Sequence, residues 1–301
     1  MKASYIFQRQ GKDFWAHVKS ISEAQGYTVR GSKRIKTLDA DGIIAAFIKL
    51  RLSPDHLVKG TTLTDAGVKL CDYFAMRAQV LENNVQHWLM DATQAEALYL
   101  DVRARLKPTL PPVMNKQKGT MAKPAYLTCL VNMIVEQVAG QAGFNANPGA
   151  LTTFTRNRMP LRTLSRRVDG AIPGVVNPVA LWEIKEYYYT TSFGSRVADG
   201  VYETLLDGLE LEEMREHTGL HCNHMLAIDA HLTWWGMGRS YLCRMIDMLH
   251  MGAVDDILFG REVVHALPNL VAEWVEIARQ RAATEPQIHG PEDKQQCLIY
   301  G

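Results

Sequence analysis

The stretch that most limits what this chain can fold into runs from Arg166 to Tyr189, RRVDGAIPGVVNPVALWEIKEYYY. A short alternating run ends at Asp169, a turn containing Pro173, Gly174 and Pro178 follows, and a second alternating run carries Glu183 and Lys185. Side chains along a strand alternate between its two faces. Val179, Leu181, Glu183 and Lys185 therefore share one face, and Ala180, Trp182 and Ile184 share the other. The pattern predicts a hairpin from which a carboxylate and an ammonium point the same way, with an apolar face behind them.

The rest of the chain can support such a hairpin. Its 301 residues are 47% hydrophobic, enough for two modest domains built without disulfides. Cys71, Cys129, Cys222, Cys243 and Cys297 are scattered, odd in number and form no CxxC pair, which predicts reduced thiols in a cytoplasmic protein. The first residues, MKASYIFQRQGKDFW, lack a signal-like apolar stretch, and no run approaches the roughly 18 apolar residues of a membrane span. No membrane partner is expected.

A net charge of +1 hides an uneven distribution. Arg30, Lys33, Arg34 and Lys36 cluster near the N-terminus, and Arg103 to Lys123 carries only basic charges. Five arginines without an acid lie between Arg156 and Arg167, whereas Asp199 to Glu216 carries seven acids against one arginine. Basic runs opposed by an acidic face fit a nucleic-acid binder of near-neutral pI.

Helical periodicity predicts helices over 13–25, 40–52 and 64–90, and one from Thr93, where Thr93 and Glu96 form a capping box, to before Pro108. Residues 1–106 thus read as a mainly helical module, with the basic residues Arg30 to Lys36 as an arm on phosphate and a winged-helix-like recognition role possible. The segment 107–123, with three prolines and no periodicity, reads as a basic linker or loop. Residues 124–280 begin with an apolar helix over 124–142 whose one charged residue is Glu136. The hairpin, a helix over 196–216, a strand over 225–230 and helices over 237–251 and 267–278 follow, and 281–301 reads as a flexible tail.

Phosphodiester hydrolysis needs an activated water, stabilisation of charge on phosphorus and neutralisation of a leaving alkoxide, which a carboxylate-held divalent metal can supply. Mg2+ takes oxygen ligands and keeps several waters, so two or three donors suffice. Asp169 and Glu183 are the candidate ligands, with the Ile184 backbone carbonyl as a third; Lys185 would stand beside the attacking water and Glu136 would orient it or help hold a second ion. One or two Mg2+ per site are expected. Arg162, Arg166 and Arg167, on the run leading to Asp169, and Arg196 after the second strand are candidate phosphate contacts.

A helix with Glu136, a strand ending at Asp169, a strand with Glu183-x-Lys185, then a helix and a strand: this order resembles the PD-(D/E)XK nuclease superfamily, over roughly residues 124–230. Val168 stands where that motif has proline. The resemblance implies an α/β (α+β) fold, a mixed central sheet flanked by helices with a restriction-endonuclease-like core. It also implies Mg2+-dependent cleavage of double-stranded DNA, with Asp169 and Glu183 as metal ligands and Lys185 as catalytic lysine. A type II restriction endonuclease is the favoured form, and cutting two strands suggests a homodimer. The alternatives are a structure-specific or repair nuclease of the same superfamily and a non-catalytic DNA-binding regulator.

Overall fold

The computed structural model describes residues 1–8, 10–32, 34–115, 117–119, 122–189 and 194–284, with the backbone alone at 195, 196 and 284. Lys33, residues 190–193 and almost all of the expected tail, 285–301, lie outside the described residues.

The N-terminal part is helical. Helices α1 (Lys12–Gln25) and α2 (Ala40–Lys49) precede a small hairpin, β1 (Val58–Lys59) with β2 (Thr62–Leu63). Helix α3 (Asp65–Val80) follows, capped by Thr64, and runs through a π-helical turn at Leu81–Val85 into the short α4 (Gln86–Trp88). A core of Phe14, Trp15, Val18, Ile21, Phe47, Leu70, Tyr73 and Phe74 holds these helices together. Between α1 and α2 the basic arm is a hairpin: Thr28 bridges Ile35, and Lys36 N–H donates to the Tyr27 carbonyl at 2.9 Å.

The second part is a mixed sheet between helices. In chain order it comprises α5 (Ala92–Leu106), α6 (Tyr126–Ala139), the hairpin β3 (Thr153–Arg156) and β4 (Met159–Thr163), β5 (Gly170–Ile172) and β6 (Ala180–Glu186). Next come α7 (Ser195–Thr218), β7 (Asn223–Asp229), a π-helical turn at Leu232–Met237, α8 (Arg239–Met251), β8 (Asp256–Phe259) and α9 (Glu262–Thr284). The sheet order is β5-β6-β7-β8, with β5 antiparallel to β6 and the remaining pairs parallel. Parallel neighbours need long crossovers, and α7 and α8 supply them. Alternation decides which helices cover which face. Ala180, Trp182, Met225, Ala227 and Leu258 pack on α5, α6 and α9; Leu226, Ile228, Ile257 and Phe259 pack on α8, and Leu181 on Leu211 and Met214 of α7. The fold is thus α+β, with the mixed sheet flanked by helices as expected.

Three expectations shift. The boundary between the two parts does not fall at 106. Ala95, Tyr99 and Val102 of α5 are buried in the core under the sheet, against α6, because α5 has an apolar stripe that the N-terminal helices leave uncovered. The proline-rich segment after it is a loop folded over α6: Ala125 N–H donates to the Val113 carbonyl and Asn115 N–H to the Lys123 carbonyl, both at 2.8 Å. The capping box of α5 uses Asp91 and Gln94 instead of Thr93 and Glu96. Asp169, finally, precedes β5 instead of ending a strand; its N–H donates to the Trp182 carbonyl at 3.0 Å. The chain turns into the sheet there because Gly170 lies flat on Trp182, whose ring a Cβ at that position would meet at 2.1 Å. Among the described residues no helix is long and apolar enough to cross a membrane.

The two parts are joined on several levels. Lys2 pairs with Asp256 on the outer edge of β8, Met90 N–H donates to buried Asp229 at 2.7 Å, and Arg77 of α3 reaches Asp247 of α8 at 2.9 Å.

Candidate active site

Strand β6 assembles the site. On the β5 side the Trp182 carbonyl accepts from Asp169 N–H at 3.0 Å, and on the β7 side Tyr187, just past the strand's end, donates its N–H to the Asp229 carbonyl at 3.2 Å. Pairing with β5 covers only Ala180 to Trp182. At Ile184 the ladder has ended and the Asp169 side chain replaces it, Oδ2 accepting the Ile184 N–H at 2.7 Å. The Asp169 carboxylate is thereby fixed against the Ile184 backbone where the strand's edge is unpaired. Asp169 therefore stands at the open edge of β6 beside Ile184, close enough to Glu183 for the two charges to act on each other.

Glu183 and Lys185 share the opposite face from Trp182, under α7. Glu183 is completely buried, and Lys185 nearly so at 8% exposure. Lys185 Nζ donates to Glu183 Oε2 at 2.9 Å and to Glu203 Oε2 at 2.8 Å. Gly200 leaves room for that reach, since a Cβ there would press on the Lys185 stem at 3.2 Å. Arg166 closes the cluster: Nη1 lies 2.9 Å from Glu183 Oε1 and 2.5 Å from Asp207 Oδ2, and Nη2 lies 3.0 Å from Glu183 Oε2 and 3.3 Å from Glu203 Oε2. The Glu183 Oε1 contact is close but out of line for a hydrogen bond, so that oxygen, like Asp207 Oδ1, is buried without a hydrogen-bond partner.

The charge states follow from these contacts. Burial pushes the Asp169 carboxyl up to about 6, helped by Glu183 and opposed by the Ile184 N–H, Lys185 and Arg166. Its side chain is exposed at the mouth, so water moderates the shift and the upward direction is what matters. Asp207, fully buried, is pushed up to about 7 by desolvation against the pull of Arg166. Desolvation would raise Glu203 too, but its bond to Lys185 and the charge of Arg166 bring it below the usual range. Burial alone would lower Lys185; Glu183 and Glu203 reverse this and hold it protonated. The upward shifts at Asp169 and Asp207 mark a centre with more acid than its own two cations can balance.

Several expected site residues are used elsewhere. Glu136 receives the Thr109 hydroxyl, the Thr109 N–H at 3.0 Å and the Leu110 N–H at 3.2 Å; it ties the proline-rich loop to α6 and is no part of the centre. Arg162 pairs with Glu210 and Glu213 at 2.9 Å, and Arg166 is held in the cluster, so neither is a free phosphate contact. Lys36 donates to the Gln25 carbonyl at 3.1 Å at the end of α1. Arg30 and Arg34 on the hairpin arm and Arg167 are exposed; Lys33 and the Arg196 side chain lie outside the described residues.

Glu203, Asp207 and Glu210 were missed as site residues because the acids of 199–216 read as a solvated face. Their spacing of four and three residues placed them on one helix face, and that face turns inward onto Arg166 and Arg162. Replacing Glu136 by alanine is expected to lower stability by about 1 kcal/mol, the loss of its loop bonds at a half-exposed site. It should raise proteolytic cutting within 107–123 and leave the chemistry at β6 unchanged, checked by melting temperature and limited proteolysis.

An α+β protein with a buried ion cluster at the end of its central strand is the class these features define. The chain belongs to the family described as a domain of unknown function, DUF7687, whose model matches residues 90–274; residues 1–84 match the model of a second domain of unknown function, DUF7690. No curated protein and no solved structure matches. The two matches divide the chain near α4, in accord with the packing of α5 under the sheet.

Proposed function

We propose that this protein is a Mg2+-dependent endodeoxyribonuclease of the PD-(D/E)XK type that hydrolyses phosphodiester bonds of double-stranded DNA, most specifically a type II restriction endonuclease acting as a homodimer. The observation that carries the reading is the Asp169 carboxylate bound to the Ile184 N–H at the unpaired edge of β6, next in sequence to buried Glu183, which Lys185 meets at 2.9 Å on the same strand.

The donor set suits magnesium. Among the described residues no group of three or more His, Cys, Asp or Glu side chains is spaced to hold a metal ion, but Mg2+ is commonly held by one or two carboxylates, with water and phosphate oxygens filling its shell. Glu183 Oε1 is buried, lies 2.9 Å from the Arg166 guanidinium and has no hydrogen-bond partner, which leaves it lone-pair capacity for a metal ion. Asp169 and Glu183, with the Ile184 carbonyl, would hold the ion, which would polarise the phosphate and lower the pKa of a bound water.

The protein's own groups supply the rest. Lys185, fixed by Glu183 and Glu203, keeps a positive charge in place without reorganisation where negative charge develops on phosphorus. Trp182 and the apolar layer behind it keep β6 rigid. Arg30 and Arg34, exposed on the hairpin arm, and Arg167 suit backbone phosphates.

The test incubates purified protein with mixed-sequence duplex DNA in Mg2+ or in EDTA, beside Lys185→Ala. Discrete fragments that require Mg2+ and fall by about 10²–10³-fold in the variant are expected. Cutting confined to branched substrates would favour a repair nuclease, and binding without cutting a non-catalytic regulator; unaltered cleavage by Lys185→Ala would overturn the assignment.

A further inference from the structure

The innermost part of the cluster has a feature that a metal held by Asp169 and Glu183 does not explain. One nitrogen, Arg166 Nη1, lies between oxygens of two different carboxylates, Glu183 at 2.9 Å and Asp207 at 2.5 Å, both completely buried. Where two metal ions act together they sit about 3.5–4 Å apart and share an acidic ligand. Glu183 is placed to be such a shared ligand: its buried carboxylate lies 2.9 Å from the nitrogen that also meets Asp207, and its charge acts on the Asp169 carboxyl. We propose that the Arg166 guanidinium stands in the place of a second divalent cation, so that the centre takes a single metal ion at Asp169 and Glu183.

Charge balance supports this. Asp169, Glu183, Glu203 and Asp207 face Arg166 and Lys185, leaving a deficit that one divalent ion fills and two would overfill. Geometry supports it as well. The guanidinium fork meets three carboxylates at once yet leaves Glu183 Oε1 and Asp207 Oδ1 without hydrogen bonds, as expected when a planar donor occupies a position suited to a compact ion with a flexible hydration shell. Arg166 lies three residues before Asp169 and is only partly exposed, so the segment that brings in the metal ligand also brings in the cation beside it. Arg166 is a positioning residue here: it fixes Glu183 and Asp207 and sets the number of ions.

The proposal rests on the metal-dependent reading only for the first ion, and the test separates the two. Mn2+ binding is measured by titration calorimetry on the full chain, without DNA, for the wild type, Arg166→Gln, Arg166→Ala and Arg166→Gln/Asp207→Asn, with melting temperatures taken with and without Mn2+. The expected stoichiometries are one ion per chain in the wild type, two in both Arg166 single variants and one in the double variant. Saturating Mn2+ should restore at least half of the melting temperature lost by the single variants. No ion in the wild type but one in Arg166→Gln would support the Arg166 assignment and sink the metal site at Asp169. Two ions in the wild type, an unchanged count in the Arg166 variants, no binding in any protein, or variants that stay unfolded in Mn2+ would overturn the proposal.

Discussion

Asp247→Ala is expected to destabilise the protein by about 3–5 kcal/mol, the usual result of removing one partner of a buried ion pair. Asp247 is 5% exposed and Arg77 fully buried. Arg77 Nη1 donates to both Asp247 oxygens, at 2.9 and 3.1 Å, and the Tyr73 hydroxyl donates to Oδ1 at 2.6 Å. Without the carboxylate the guanidinium has nowhere to discharge: its Nε and Nη2 already lack hydrogen-bond partners, and the faces of Phe74, Tyr27 and Tyr73 surround it. Because Arg77 lies in the segment matched by one family model and Asp247 in that matched by the other, the loss falls on the joint between the two parts. Urea or thermal unfolding should show the drop, on the order of 10 °C in Tm. The double variant Arg77→Met/Asp247→Leu should recover most of it, since a well-packed apolar pair of similar volume replaces a buried ion pair at little cost. A single variant that unfolds like the wild type would show that the pair contributes nothing net.

This pair also shows where sequence reasoning stops. Alternation over Val179 to Lys185 announced β6, because one face of that strand is apolar and the other carries charge. The short β8 was not legible: Asp256 to Phe259 is buried on both faces, so it has no alternation and too few residues to be told from helix or loop. Asp169, Glu183 and Lys185 were legible as types at a spacing: β6 carries Glu183 and Lys185, and the approach to β5 brings Asp169 onto the Ile184 N–H. Glu136 was misplaced for the opposite reason. Its membership needed a contact across the fold, and the nearby loop offered Thr109 and Leu110 as partners first. The arginines of 156–167 read as a basic surface, yet Arg162 and Arg166 are neutralised by α7 some 40 residues later. Charge runs do not reveal their partners; the spacing of Glu203, Asp207 and Glu210 was the signal that linked them.

Glu183→Gln is expected to lower DNA cleavage on the order of 10³-fold, with metal binding lost alongside it, at a smaller structural cost than Asp247→Ala. The glutamine keeps the volume and one acceptor oxygen, so Trp182 and Leu181 stay packed. Arg166 retains Asp207 and Glu203, and Lys185 retains Glu203, so neither cation is left alone and the stability loss should stay near 1–3 kcal/mol. What disappears is the strand's own carboxylate, paired with Lys185 and Arg166 and close enough to act on the charge of Asp169. Cleavage at saturating Mg2+, Mn2+ titration and thermal melting on the same preparation separate these effects. A variant that melts close to the wild type but neither binds Mn2+ nor cuts places the chemistry on Glu183. One that cuts at the wild-type rate would leave Glu183 as a structural counter-ion to Arg166 and Lys185, and the end of β6 as an ion cluster that holds α7 to the sheet.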